Sequence, residues 1–250
     1  MVRSDLACEQ NPVKADRLDD IISVSHLFVD KELSHKIAKP EGNYFTLDTS
    51  VVVDMDRRLF GRVIDALSEI IRKVISKNTN KILVIGLGNG NLTADALGCL
   101  SCQKICAGFS ENEKVCWLCP GVYGVTAIES FDVVKGVVDR IKPGVVIAID
   151  SLCAARVGRI GTSFQVSDAG IVPGSGVKNS RKALNRQTLG VEVVSIGVPM
   201  VVYASTIIAE AGCREKALDD LGDTVVTLKD IDIVVEGCAE IVSEAINKFV

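Results

Sequence analysis

Two aspartates stand out for the chemistry they could do together. Asp95 lies in KILVIGLGNGNLTADALG (residues 81–98), where a β-branched run breaks at Gly86 into a polar, glycine-rich loop and one carboxylate sits among small apolar residues. Asp150 follows a second such run, in VVIAIDSL. In open α/β sheets ligands gather outside the carboxyl ends of the strands, so both aspartates are expected at one rim, within direct or single-water hydrogen-bond reach. Paired carboxylates can share a proton, because two like charges close together do not both ionise cheaply. One can then act as base on a water while the other acts as acid, which is aspartic hydrolase chemistry. Each residue also has a purely structural reading. Asp95 could complement the dipole of the helix begun by ADALGCL, and Asp150 could bond only loop backbone.

Other chemistries find less support. GLGNGN reads G-x-G-x-x-N and lacks the third glycine of a dinucleotide fingerprint. Only two histidines are present, His26 and His35, both in the mixed-charge stretch SHLFVDKELSHK, so a Ser-His or Cys-His machine has few bases to draw on. Cys99, Cys102, Cys106, Cys116 and Cys119 form C-x2-C-x3-C-x9-C-x2-C, a spacing near that of zinc sites. The first three also fall at i, i+3 and i+7, the buried stripe of a helix where cysteine is a small hydrophobe. Reduced thiols holding no structural metal are expected, and no cofactor.

The elements that must position the aspartates follow an alternating pattern. Residues 82–86 (ILVIG), 145–149 (VVIAI) and 193–197 (VVSIG) are nearly continuous β-branched runs, as expected of strands buried on both faces of a parallel sheet. Three loops should therefore meet at the rim: GLGNGNLTAD, the Asp150-Ser151 corner, and VPMVVYAS. Apolar residues recur at helical spacing over residues 59–74 and 134–141, and residues 233–249 read as a terminal amphipathic helix. Residues 44–53 and 161–166 read as further strands, antiparallel or at an edge. No internal repeat or linker is evident, so one α/β domain over residues 1–250 is expected.

Composition bounds the rest. The 250 residues are 48% hydrophobic, enough for a sizeable core, and the net charge of −4 with a pI near 5.3 leaves no basic footprint for nucleic acid. The opening MVRSDLACEQNPVK lacks the apolar run of a signal peptide, and no apolar run reaches membrane-spanning length. A cytoplasmic protein is expected, and the nine cysteines fit reduced thiols.

Taken together, VRSDLACE, GNYFTLD, VIGLGNGNLTADALG, PGVYGVTAIES, VVIAIDSLCAAR, QVSDAGIVPGSGVKNSRKALNRQTLGVEVVSIGVPMVV and LKDIDIVVEGCAEIVSEAINKFV resemble the germination protease family of endospore-forming bacteria. The resemblance implies a three-layer α/β/α fold with a mainly parallel, mixed sheet, similar to hydrogenase maturation proteases and to phosphorylase-like folds. It implies an endopeptidase that degrades small acid-soluble spore proteins in the spore core, with Asp95 and Asp150 as the catalytic pair and a tetrameric assembly. Gly86, Gly88, Asn89, Asn91, Thr93, Ser151, Gly174, Ser175 and Gly176 are the expected substrate-lining positions, the glycines because they let a main chain approach a peptide closely. The sequence opens almost at VRSDLACE, so no pro-segment is expected, and it is shorter than the family pattern between VVYAS and LKDID. Two rival readings stay open: a metal-dependent maturation-type protease, and a shortened relative that binds spore proteins without cutting them.

Overall fold

The computed structural model describes residues 4–75, 81–106, 115–173, 182–210, 221 and 223–250. Its strands are β1 (Ala15–Arg17), β2 (Ser23–Val29), β3 (Gly42–Asp48), β4 (Ile82–Gly86), β5 (Val115–Leu118), β6 (Val145–Ala154), β7 (Ser163–Ser167), β8 (Glu192–Tyr203) and β9 (Val225–Val226). Among the described residues they form one sheet in the order β1-β2-β3-β7-β8-β6-β4-β5, with β9 added to the end of β8. The pairs β8-β6, β6-β4 and β4-β5 are parallel. β7 runs antiparallel to β8 and β3, and β3-β2-β1 continue as an antiparallel wing.

The helices are α1 (Ala7–Gln10), α2 (Lys31–Ile37), α3 (Phe60–Val74), α4 (Leu97–Lys104), α5 (Tyr123–Thr126), α6 (Ser130–Ile141), α7 (Arg186–Leu189), α8 (Ala204–Glu210) and α9 (Ile231–Phe249). The expected α/β/α layering follows from how the strand residues divide. Ile82 and Val84 of β4, with Val145, Ile147 and Ile149 of β6, pack under α3, α4 and α9. Leu83 and Ile85, with Val146 and Ala148, pack under α6 on the opposite face. This period-2 division of unbroken β-branched runs is what a sheet covered on both faces requires. The terminal helix α9 lies against both α3 and α4, so its buried face is wide. No described helix is long and apolar enough to cross a membrane.

Several boundaries differ from expectation for one reason. The runs 145–149 and 193–197 continue as β6 and β8, which stay paired through Ala154↔Val202 with a bulge at Leu152/Cys153. Asp150 and Ser151 are therefore strand residues, with Asp150 opposite Gly197 rather than at a corner, and most of VPMVVYAS is strand rather than loop. Polar residues and Pro199 mask this continuation locally, but pairing with a long neighbour overrides propensity. The strand at 44–53 ends at Asp48 and gives way to a turn, and the one at 161–166 is β7, an interior antiparallel strand.

The helix that follows β4 is seated on bare backbone. A Cβ placed on Gly98 of α4 would lie 2.4 Å from Leu87 O, 2.5 Å from Leu87 N and 2.6 Å from Ile149 O. Across the contact, a Cβ on Gly86 would lie 2.4 Å from Gly98 O. Gly98→Ala is expected to destabilise the fold by about 1–3 kcal/mol or more, since backbone cannot rotate away from the added methyl. Gly136→Ala, on the exposed side of α6 with nothing within 4 Å, should be neutral or stabilising by about 0.5–1 kcal/mol. Urea unfolding of the two variants checks both signs.

Candidate active site

Asp95 is delivered by a tight local fold. After β4 the chain turns through Gly88 at φ +96°, where a side chain is disfavoured and where a Cβ would lie 2.1 Å from Asp95 O. A single 3-10 turn, Thr93–Asp95, then precedes α4, whose first turn starts beyond Ala96. Asp95 does not cap that helix. Its Oδ2 instead accepts the Asn89 backbone N–H at 2.7 Å, which closes the loop on itself. Asp150, only 7% exposed, is held by β6, and its Oδ1 accepts the Ser151 N–H at 2.9 Å.

Both carboxylates line one cleft of about 640 Å³. Of the expected positions, Gly88, Asn89 and Ser151 line it as well. The Ser151 hydroxyl oxygen is shielded from solvent and makes no hydrogen bond to another described group. Gly86, Asn91 and Thr93 are not part of the wall. Gly86 is buried under Gly98, and its lack of a side chain serves helix packing rather than substrate approach. Asn91 and Thr93 are exposed on the far part of the loop, where Asn91 N bonds Asn89 Oδ1. Gly174, Ser175 and Gly176 lie outside the described residues, although the adjoining Pro173 lines the cleft.

Other cleft residues come from segments that spacing did not connect to the aspartates. Asp5 reaches the rim because the N-terminal segment crosses β6. Asp5 N donates to Cys153 O at 2.8 Å, and Cys153 N donates back to Asp5 Oδ2 at 2.9 Å. Gln165 of β7 fastens the same segment by accepting Ala7 N–H at 2.8 Å and donating to Asp5 O. Lys39, from the turn after α2, donates to Asp5 O at 2.9 Å with its ammonium 4.0 Å from Asp5 Oδ1. Tyr203, at the end of β8, closes another wall. VRSDLACE carried the one available signal for Asp5, an aspartate within a recognised motif; nothing local points to Lys39 or Gln165.

Neither histidine approaches this cleft. His26 is an exposed β2 residue stacked on Phe45 at 4.2 Å, and His35 is exposed on α2. The cysteine stripe is only partly a stripe. Cys102 is buried and Cys99 half-buried, while Cys106 falls beyond the end of α4 and is exposed. Among the described residues no group of three or more His, Cys, Asp or Glu side chains is arranged to hold a metal ion.

The germination protease model of peptidase family A25 matches residues 4–212. The chain belongs to the germination protease family. It is 38% identical over 210 residues to a germination protease of Geobacillus sp. strain WCH70, covering 78% of this chain but 56% of that relative. It is 33% identical over 301 residues to one from Caldanaerobacter subterraneus subsp. tengcongensis, covering 98% of this chain and 93% of the relative. A germination protease of Clostridium acetobutylicum is 32% identical over 307 residues, with 98% and 94% covered. These last alignments are longer than the 250 residues present, so they carry gaps on this side, in keeping with a chain shorter than the family pattern. A [NiFe] hydrogenase maturation protease, HycI of Thermococcus kodakarensis KOD1, superposes with a TM-score of 0.45 at 21% identity, covering 72% of this chain and 99% of that one.

Lys39 gives the germination protease cleft a measurable pH signature. Burial pulls its ammonium below the ordinary lysine range, against the opposing pull of the Asp5 carboxylate. A lysine whose folded pKa is depressed penalises the native state at neutral pH, and the penalty disappears as pH rises past the unfolded-chain value of about 10.4. Wild type should therefore gain stability relative to Lys39→Met as pH rises through the alkaline range towards that value. Urea unfolding across that range checks the sign; a difference that is flat or falls with pH would place the lysine in water.

Proposed function

We propose that this chain is an endopeptidase that degrades small acid-soluble spore proteins during germination, using water activated between Asp95 and Asp150. The observation that carries the reading is the shared cleft: a member of the germination protease family presents two carboxylates, from the β4 loop and from β6, to one cavity large enough for a peptide segment. In this mechanism one carboxylate takes a proton from the bound water as the oxygen attacks the scissile carbonyl. The other, carrying the shared proton, hydrogen-bonds the carbonyl oxygen as charge develops on it. The proton taken from water then passes to the departing amine. The loop at Gly88 and Asn89 lies along the cleft, where it would hold the peptide against the pair.

Spore proteins as substrate imply action in the spore core, and the family resemblance suggests a homo-oligomer. The uneven coverage of the relatives makes the whole enzyme's activity the point to test first. Purified protein is incubated with a small acid-soluble spore protein and the fragments are weighed by mass spectrometry. Defined internal cleavage is expected. Intact substrate that co-purifies with the protein would favour the binding-only relative, and cleavage abolished by a chelator would favour the metal-dependent protease.

Asp95→Asn and Asp150→Asn should each remove nearly all cleavage, with the double variant little worse than either single one, because groups acting as one unit are strongly non-additive. Asn keeps the size of Asp but cannot take up the water's proton, so thermal melting should change little. Activity retained by one variant would assign that carboxylate a structural role only.

A further inference from the structure

The strand that carries Asp150 is bordered unevenly. β8 pairs with β6 from Val145↔Glu192 to Ala154↔Val202, while on the other side β4 reaches only to Gly86↔Ile149. One further bond, Leu87 N to Ile149 O at 2.8 Å, closes that ladder, and the chain then leaves through Gly88 at φ +96°. The vacated side is taken up again by the N-terminal segment. Cys153 O accepts the Asp5 N–H at 2.8 Å, and Cys153 N donates to Asp5 Oδ2 at 2.9 Å. The main-chain N–H and C=O groups of successive strand residues point to alternate sides, so Ile149, Ser151 and Cys153 address the same side. The extra residue of the bulge is Met200 on β8, between Leu152↔Pro199 and Cys153↔Val201, which leaves the alternation along β6 unbroken. Ser151 therefore faces the interval between Leu87 and Asp5.

The Ser151 N–H is taken by the preceding side chain, Asp150 Oδ1, at 2.9 Å. Its C=O points away from β8 and accepts no hydrogen bond from another described group. Ser151 lines the cleft and is half-buried although its hydroxyl is shielded from solvent, so the main chain makes up its cleft-facing part. Main-chain polar groups inside proteins are nearly always paired, with protein or with water. Here that partner is water or an incoming chain. Ile149 and Cys153 are about 13 Å apart at about 3.3 Å per residue, and both ends of the interval are filled, which leaves room for one residue to pair.

We propose that the Ser151 carbonyl is the main-chain anchor of a bound polypeptide, accepting the N–H of one residue of an extended segment that enters the side β4 has left. This anchor rests on the reading of the cleft as a polypeptide site. Main-chain bonds to an unpaired strand edge hold extended peptides in this way, while their side chains are read elsewhere. Because Asp150 already holds the Ser151 N–H, the anchor is an acceptor only, and the docked residue must carry an N–H. Proline or an N-methylated residue is rejected at that one position, whatever its side chain. Ser151 adjoins Asp150 in β6, and Gly88, Asn89 and Asp95 border the same cleft, so the bond sets the register of the bound chain against the two carboxylates.

Ser151-Leu152 is the only Ser-Leu step in the sequence, so protein labelled at the serine carbonyl carbon and the leucine nitrogen gives one correlated NMR signal, which reports the Ser151 carbonyl. The spectrum is recorded on Asp95→Asn while a small acid-soluble spore protein is added, so that the substrate stays whole. The Ser151 carbonyl signal is expected to move and to saturate with binding. Peptides spanning the cut site are then given to the wild type with one residue at a time N-methylated, or with one amide other than the scissile one replaced by an ester, which removes only the N–H. Both changes should lower kcat/KM about ten-fold or more at one shared position and less than about three-fold at its neighbours. The changes lie in the substrate, so the fold of the protein is not at stake. A bound spore protein that leaves the Ser151 signal unmoved, or a scan in which no single position stands out, overturns the anchor. Cleavage with an unmoved signal leaves the proposed hydrolysis standing without it. A moved signal with no cleavage by the wild type keeps the anchor and removes the hydrolysis, and a spore protein that neither binds nor is cut removes both.

Discussion

The contact on which the site depends is the one between Gly98 and the main chain beneath it. A helix normally stands off a sheet by the thickness of its side chains. Here α4 has no side chain at the contact, and the backbones of Leu87 and Ile149 fill the place where one would be. Leu87 N also bonds Ile149 O at 2.8 Å, so β4 and β6 are joined just where the helix presses on them. Asp95 lies three residues before Gly98, and Asp150 follows Ile149. Fixing Gly98 on Ile149 therefore brings the two carboxylates to the same cleft, although 54 intervening positions separate them in sequence.

The opposite side of the cleft is held differently. The N-terminal segment contributes little apolar burial beyond Leu6, Ala7 and Cys8, and it is attached mainly by polar groups: Asp5 and Glu9 accept the N–H groups of Cys153 and Ala155, and Gln165 accepts that of Ala7. The bulge in the β6-β8 ladder at Leu152/Cys153 falls where this segment lies across the strand, and Asp5 takes up the Cys153 donor there. Buried donors that lose such acceptors cost about 1–3 kcal/mol each, so the segment and the end of β6 are stable only together. Lys39 adds the positive charge on this wall, in a cleft whose other charged lining residues are Asp5, Asp95 and Asp150.

The parts of the molecule legible in sequence are those fixed by periodicity. The β-branched runs at 82–86 and 145–149 announce strands covered on both faces, and the spacing over 59–74 announces α3 within a residue. Asp95 and Asp150 were legible as candidates because each follows such a run, although Asp150 lies within β6 and not at its end. Strand length was not, since the continuation of β6 through Asp150 to Ala154 is decided by pairing with β8 and not by the residues themselves. The glycines show the same division. Gly88 and Gly86 look alike in GLGNG, yet one permits a left-handed turn at the cleft and the other clears space for Gly98. Asp5, Lys39 and Gln165 meet only through contacts spanning 34 to 160 positions, for which no local pattern exists.

The two carboxylates consequently differ in how firmly they are placed. Asp150 belongs to a strand paired on both sides and buried between layers, so its position moves only with the sheet. Asp95 depends on a loop closed by the Asn89 N–H and by a glycine at positive φ, with α4 behind it and Cys99 beneath it. Chemistry that needs both groups on one water is then most easily altered from the Asp95 side, because a small shift there changes the separation without disturbing the core. In the proposed reaction the rigid carboxylate would fix where the water must be, and the loop would set whether the second one meets it.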